Sequence, residues 1–498
     1  MPAKNPHLQL QKWAEQYGPV FSLQLGTKTI IVLSSDVAVK EMLDKRSSNY
    51  SDRPDMFIGQ QVASGGMRLV VMRYGDKWRS IHRMIHNILN IKAAVTYAPY
   101  QDLENKVMLK AFCEDPANFQ SHIRRYTFSL STQLIFGHRC PDVNDPDLKE
   151  LFVNFSNWGE VAACASAQIL DLFPILQSLP RWMAPNVRYA ESLFETEREH
   201  YLRMWMRTKN ALSSGEGHPC FCNDLLRAQD KEGFSDAEAS YISGSLLEAG
   251  SDTTAAILYG FIQATLVWPE VLSRAQEEID RIVGPGRLPN LDDYENLPYI
   301  RCCIKESMRW MPTVILGVPH AAIKDDWYNG YRIPAGSTII NNVWTIHMDP
   351  KRSPDPRRFN PDRFANDKTT LFESATGDCT KRDNFVFGAG RRLCQGIHIA
   401  ERSLFYGIAR LVWGFDFSPS LGADGQPISY DVDDLVGGIT VEPRPFSCQI
   451  KPRSSYVEGV ILKEATACND LLDEVTGQWK ETPEGMAFST WMPEKIDV

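Results

Sequence analysis

Cys394 stands in the stretch FVFGAGRRLCQG, residues 385–396, behind Gly388, Gly390, Arg391 and Arg392 and directly ahead of a helical pattern. Three chemistries compete for a thiol in that setting. A phosphate loop needs G-x-x-x-x-G-K-[ST] or G-x-G-x-x-G between strand and helix, and the residues after Gly390 break that spacing. A redox thiol usually brings a resolving cysteine, as in C-x-x-C, and none is near. An axial metal ligand fits better. Glycines let the loop run close beneath a flat cofactor, and a helix start just after the thiol favours its thiolate form. Arg392 can then pair with a carboxylate of the cofactor. Haem iron held by one cysteine meets all of these demands.

A second cluster is AGSDTT, Ala249–Thr254, in the middle of a helical pattern. Gly costs about 1 kcal/mol against Ala inside a helix, and Ser, Asp and Thr are also poor there. Gly250 leaves room for a ligand against the backbone, and Thr253 can bond back to a carbonyl and open the helix. Asp252 and Thr253 supply an acid and a hydroxyl side by side, the parts of a proton relay. A packing kink accounts for the same residues equally well. A third cluster is LPYIRCCIKESMRWMP, where Glu306 and Arg309 share one helix face. Such a pair is usually solvated; among Ile304, Met308 and Met311 it would be partly buried and need a third partner, for which Arg363 in FNPDRF is the candidate.

The elements that must position these residues are legible in part. Ser235 and Glu238 form a capping box, and helical patterning then runs to Trp268, where Pro269 begins the next helix. At 1.5 Å per residue that helix is roughly 50 Å long. Residues 20–34 read as a β-hairpin, and from Val37 to Val283 the pattern is mostly helical. Asn329-Gly330 marks a two-residue hairpin turn, and a second β signal covers residues 425–451. Helical and β parts interleave without a linker, which favours one mixed unit over the 498 residues.

The formal net charge of −9 argues against nucleic-acid binding, which needs clustered Lys and Arg. Eleven cysteines, an odd and scattered set, exclude a complete disulfide framework and suggest reduced thiols. Their spacing does not match a zinc site. No apolar run reaches the roughly 18 residues of a membrane span. Met1 is followed by polar residues rather than a signal peptide, and an amphipathic helix opens at once.

The pattern F-x-x-G-x-R-x-C-x-G, filled by Phe387, Gly390, Arg392, Cys394 and Gly396, resembles the haem-thiolate signature of the cytochrome P450 superfamily. The resemblance extends over about residues 10–455. AGSDTT looks like the family's oxygen-activation segment, and Glu306, Arg309 and Arg363 look like its E-x-x-R helix and following arginine. KWRSIH resembles the W-x-x-x-R helix, with Trp78 matching and His82 in place of the arginine; a histidine there can still bond a haem propionate, with a charge that depends on pH. His320 in GVPH matches a second propionate contact.

The resemblance implies a mainly α triangular prism with a small β region, and haem b between the long helix and the Cys394 loop. It also implies a monooxygenase, in which the Cys394 thiolate promotes O–O cleavage and Asp252 and Thr253 deliver protons. The substrate would be a lipophilic small molecule, oxidised with O2 and with electrons from NADPH through a separate cytochrome P450 reductase. A monomer is expected. Three apolar segments, around Ile58 to Val71, Val314 to Gly317 and Gly437 to Ile439, would line the distal pocket. Lys77, Arg79, Arg83, Arg391 and Arg392 include candidate docking residues for the reductase. HMDP and the IKPRS ending are similar to fungal natural-product members. Microsomal members carry an N-terminal anchor and hinge, and this chain begins where the hinge would end. A place on the cytosolic side of the endoplasmic reticulum is expected if an anchor precedes it, and a soluble or peripheral protein otherwise. The polar tail from about Val475 lies beyond the family core and carries no assigned role. Two other readings are a reductase-independent isomerase or peroxygenase, which the intact Asp252–Thr253 pair disfavours, and a non-catalytic haem sensor.

Overall fold

The computed structural model describes residues 5–379 and 381–486. Its axis is the long helix Asp236–Val267. The capping box is present: Ser235 Oγ accepts from the Glu238 amide at 3.2 Å, and the Glu238 carboxylate accepts from the Ser235 amide at 3.0 Å. Trp268 ends the helix, and Pro269 occupies the first turn of the next, Pro269–Ile282, where a missing N–H is harmless.

The long helix buries side chains on every face, as a helix through the centre of a large core must. Its poor helix formers allow close approach by the helix Phe119–Phe136. A Cβ on Gly250 would stand 2.6 Å from Ser131 Oγ, and Thr127 Oγ1 donates to the Ser251 carbonyl at 2.6 Å. Thr253 Oγ1 bonds back to the Ala249 carbonyl at 3.1 Å, yet the helix runs unbroken through it. The packing explanation of AGSDTT is therefore correct for part of the segment.

Leu258, Phe261 and Ile262 of the long helix meet Ile304 and Met308 of the helix Pro298–Trp310 and Leu404 and Ile408 of the helix Ile397–Gly414. Each such burial is worth about 1.5–3 kcal/mol before entropy, so this cluster fixes the cysteine helix against the long one. The strands form a smaller layer. β1 (Val20–Leu25) and β2 (Lys28–Leu33) make the expected hairpin; β3 is His320–Ala321, β4 Asp326–Tyr328, β5 Tyr331–Ile333 and β6 Thr338–Asn341. The sheet order is β1-β2-β6-β3, with β2 and β6 parallel. Asn329 and Gly330 join β4 to β5 with φ of 51° and 82°, the left-handed pair that a type I′ turn demands. No single helix among the described residues is long and apolar enough to cross a membrane.

The chain end differs from a loose polar tail. The helix Ser455–Ala467 packs on the helix Ala98–Glu114, and residues 472–479 fold back so that Trp479 is buried. Residues 487–498 of the tail lie outside the described residues.

Candidate active site

A cavity of about 280 Å³ opens between the long helix, the helix Asp76–Leu89, the helix Phe119–Phe136 and the cysteine loop. Cys394 and Thr253 both face it, from the loop and from the long helix. The loop is held rigidly. Cys394 N donates to the Phe387 carbonyl at 2.8 Å, and Gly390 N donates to Asp44 Oδ1 at 2.7 Å. The Cys394 side chain is open to the cavity but deep in the molecule. Burial pushes its thiol pKa up, and the Gly396 amide beside it pulls the other way.

Arg392 also lines the cavity, with Trp78 and His82. Its guanidinium lies 4.1 Å above the Trp78 ring and donates to the carbonyls of Ser51 at 2.9 Å and Met72 at 2.7 Å. Burial lowers its pKa to about 10. A residue unmarked in the sequence joins it: Arg53, fully buried, lines the same cavity and, among the described residues, donates to the carbonyls of Val70, Val318 and Pro319. Burial, then the charge of Arg392, holds Arg53 well below its ordinary pKa. Nothing in SDRPD distinguishes Arg53 from a turn arginine. Among the described residues neither guanidinium hydrogen-bonds a carboxylate, and only the more distant Asp52 charge acts on both, so the cavity wall carries one buried and one half-buried cation without a directly bonded acid.

The histidines behave differently from expectation. His82 packs against Trp78 in a tilted arrangement with ring centroids 4.5 Å apart. Burial, His86 and Arg392 lower its pKa to about 4, so it is neutral at physiological pH rather than a pH-dependent cation. His320 is buried behind the wall, its Nδ1 2.7 Å from the Tyr50 carbonyl, and is not among the cavity-lining residues. Gly390 also lies outside the lining. Its φ of 60° serves the turn, and a Cβ there would run into the Leu43 carbonyl. The glycine therefore allows close approach to protein backbone and not to a cofactor; Gly396 is the signature glycine that faces the cavity.

Asp252 and Thr253 do not share a cavity. Asp252 faces a second one, of about 390 Å³, on another side of the long helix, where its Oδ2 accepts from Thr440 Oγ1 at 2.5 Å. Burial raises its pKa against the opposing effects of that hydroxyl and of Arg124. Of the three segments expected to line the substrate pocket, only Leu69 and Val70 reach the first cavity. Gly437–Ile439 line the second, and Val314–Gly317 line neither.

Glu306, Arg309 and Arg363 come together behind the cysteine loop. Arg309 grips Glu306 with two bonds of 2.6 and 2.8 Å, and Arg363 Nε lies 3.4 Å from Glu306 Oε1. Arg309 also donates to the His347 carbonyl at 3.1 Å, and His347 Nε2 accepts from the Phe385 amide at 3.1 Å. The triad thus braces the first residue of the loop. In the candidate docking cluster, Lys77 is paired with Glu238 and Arg79 with Asp76, while Arg392 points inward.

A thiol beneath a cavity, exposed backbone at Ala249 and Gly250 in its opposite wall, and two guanidiniums on the wall that bond no carboxylate among the described residues suit a flat, dianionic, metal-bearing ring. Haem has that shape and charge. The comparisons agree with this geometry. The Cytochrome P450 family profile matches residues 1–449. The chain is 51% identical over 495 residues to Cytochrome P450 monooxygenase virE of Hypocrea virens, covering 99% of this chain and 90% of that one. It is 46% identical over 493 residues to Cytochrome P450 monooxygenase fogE of Aspergillus ruber, with 98% and 90% covered. A zebra fish cytochrome P450 solved with progesterone superposes with a TM-score of 0.72 at 23% identity, covering 91% of this chain and 100% of that one, which shows the fold. The chain belongs to the cytochrome P450 family and has its mainly helical fold. It is a haem-thiolate monooxygenase, which requires O2 and an electron partner.

Proposed function

We propose that this protein inserts one oxygen atom from O2 into a lipophilic small molecule during fungal-type secondary metabolism, with electrons from NADPH through a separate flavoprotein reductase. The observation that carries this reading is the shared cavity of Cys394 and Thr253, walled by apolar side chains such as Leu69, Val70, Ile85, Leu134 and Leu246. Haem bound there supplies oxygen activation. Cys394 would hold its iron, with Arg53, Arg392, Trp78 and His82 around its carboxylates. Thr253 would position a proton on the cavity side of the long helix, and Asp252 would hold the reserve proton behind it.

The carbon-monoxide difference spectrum of the reduced protein tests the thiolate. We expect the band of a thiolate-ligated haem, lost in Cys394→Ser; an unchanged spectrum in that variant would remove Cys394 from the site. Oxygen-dependent NADPH use with added reductase separates monooxygenation from peroxide rearrangement. Metabolite comparison after gene deletion then identifies the substrate.

For location, we infer the cytosolic face of an endoplasmic-reticulum-type membrane. An exposed apolar group within residues 169–189 supports it, including Phe173, Ile175 at 81% exposure, Trp182 at 74% and Met183. Vesicle flotation of this chain should weaken in Ile175→Ser/Trp182→Ser; unchanged flotation of that variant would remove the patch as the contact.

A further inference from the structure

We propose that the second cavity is the inlet through which solvent protons reach Asp252, and that Glu442 is the relay acid in its wall. The inference deepens the acid–alcohol reading of Asp252 and Thr253 and rests on it. Adjacent residues of a helix point about 100° apart, so an acid next to a cavity-facing threonine must draw its protons from somewhere else. Here that place is visible. The cavity is lined by Arg124, Phe152, Asp252, Thr440 and Glu442. Its rim includes Val153, Ser156 and Gly437, all exposed to solvent.

Inside it the polar groups form a sequence. Asp252 is held by the Thr440 hydroxyl. Thr440 and Glu442 line the cavity on either side of the buried Val441, which also contributes to its wall. Glu442 Oε1 accepts from Arg124 Nη2 at 2.7 Å and from Gln120 Nε2 at 3.4 Å. Arg124 Nε is buried with no protein partner, a donor that water in a polar cavity of this size can satisfy. The charged and titratable groups acting on Glu442 are Arg124 on the helix Phe119–Phe136 and Asp252 on the long helix, and Tyr259 feels its charge. Burial and Asp252 raise the Glu442 pKa while Arg124 opposes them, and burial raises that of Asp252 too. Both carboxyls are therefore suited to exchanging protons nearer neutrality than exposed acids. In the step itself, the Glu442 carboxyl gives its proton through water to the Asp252 carboxylate. The Glu442 carboxylate regains one from solvent, and nothing is oxidised or reduced.

The test uses the holoenzyme with reductase and NADPH and no added substrate, reading the share of consumed O2 released as hydrogen peroxide and the solvent isotope effect on O2 consumption. Infrared difference titration of the ferric holoenzyme, with Asp252→Asn assigning that carboxyl, reads the same groups without turnover. Glu442→Gln should raise the peroxide-to-water ratio about tenfold, within the range of general acid catalysis, and enlarge the isotope effect. It should also shift the Asp252 titration, and Glu442→Asp should restore all three. Combined with Asp252→Asn it should add little, because both act on one path. Ser156→Trp, which fills the mouth without touching a charge, should reproduce the peroxide effect and keeps the test open if Glu442→Gln misfolds. Wild-type peroxide yield and isotope effect in Glu442→Gln, or in Ser156→Trp where the first variant cannot be made, overturn the inlet. If Asp252→Asn is silent as well, the acid–alcohol reading falls with it; if Asp252→Asn still uncouples, only the inlet falls.

Discussion

Arg53 and Arg392 are cavity-wall cations whose hydrogen bonds go to main-chain carbonyls rather than to acids among the described residues. Arg53 is buried and Arg392 half-buried on the cavity wall, each donates to main-chain carbonyls, burial lowers the pKa of both, and the charge of Arg392 lowers that of Arg53 further. A hydrogen bond to a charged group is worth about 1.5–3 kcal/mol. Arg53→Met or Arg392→Met should therefore weaken haem retention by about tenfold to a hundredfold, measured as the rate of haem transfer to an excess of apomyoglobin. Equal retention by wild type and both variants would show that the two cations do not hold the cofactor. Arg392 was legible because its place in the signature is fixed relative to Cys394. Arg53 was not, because its meaning comes from Val70, Val318 and Pro319, whose carbonyls surround it only after folding. The split between Asp252 and Thr253 was legible in principle, since helix geometry alone forbids neighbours from facing one way.

Among the elements, the segment before the helix Asp76–Leu89 is fastened to the long helix by an ion cluster that patterning could not show. Arg68 reaches Glu248 on the long helix and Glu197 on the helix Pro185–Ser214, and stacks 3.9 Å above the Trp158 ring. Tyr201 donates to Glu248 and Tyr241 to Glu197. The sequence around Arg68 reads as apolar pocket lining, and its two acids are 129 and 180 residues away. One guanidinium faces two carboxylates, so the cluster is short of positive charge. Burial, opposed by Arg68 and reinforced by Glu197, raises the Glu248 pKa from 4.5 to about 7. The folded state therefore keeps a proton that the unfolded state releases. This contribution to stability is full below pH 4.5 and is lost as pH rises toward about 7. Urea unfolding of wild type should lose about 2–3 kcal/mol across that window relative to Glu248→Gln. Parallel pH profiles for the two proteins would refute the held proton. Arg68→Met, which strands both carboxylates, should cost about 3–5 kcal/mol at neutral pH.

For the molecule as a whole, local turn chemistry and caps announced the hairpin at Asn329-Gly330 and the ends of the long helix, because those depend on a few adjacent residues. The fate of the chain end depends on distant ones. TGQWKETPEG has the composition of a solvated tail, yet Trp479 lies in the core with Tyr100, its ring 5.3 Å away, and its Nε1 donates to Gln133 Oε1 at 2.7 Å. Gln478 exchanges bonds of 2.6 and 3.1 Å with the Arg139 backbone. Arg139 in turn pairs with the buried Glu104, which also holds Arg125. The end of the chain thus clamps the helices Ala98–Glu114 and Phe119–Phe136, and the second of these walls both cavities. Trp479→Ala should cost about 3–5 kcal/mol, the range for deleting a buried aromatic, and ending the chain after Asp473 at least as much. Lys480→Ala, on the exposed side of the same turn, should stay within about 0.5 kcal/mol. Calorimetry of the three variants checks the ranking. Because Trp479 is not among the residues that line the cavity of Cys394, the carbon-monoxide spectrum of Trp479→Ala below its melting range should match wild type. A lost spectrum at a temperature where the variant is folded would mean that the clamp also shapes the haem site.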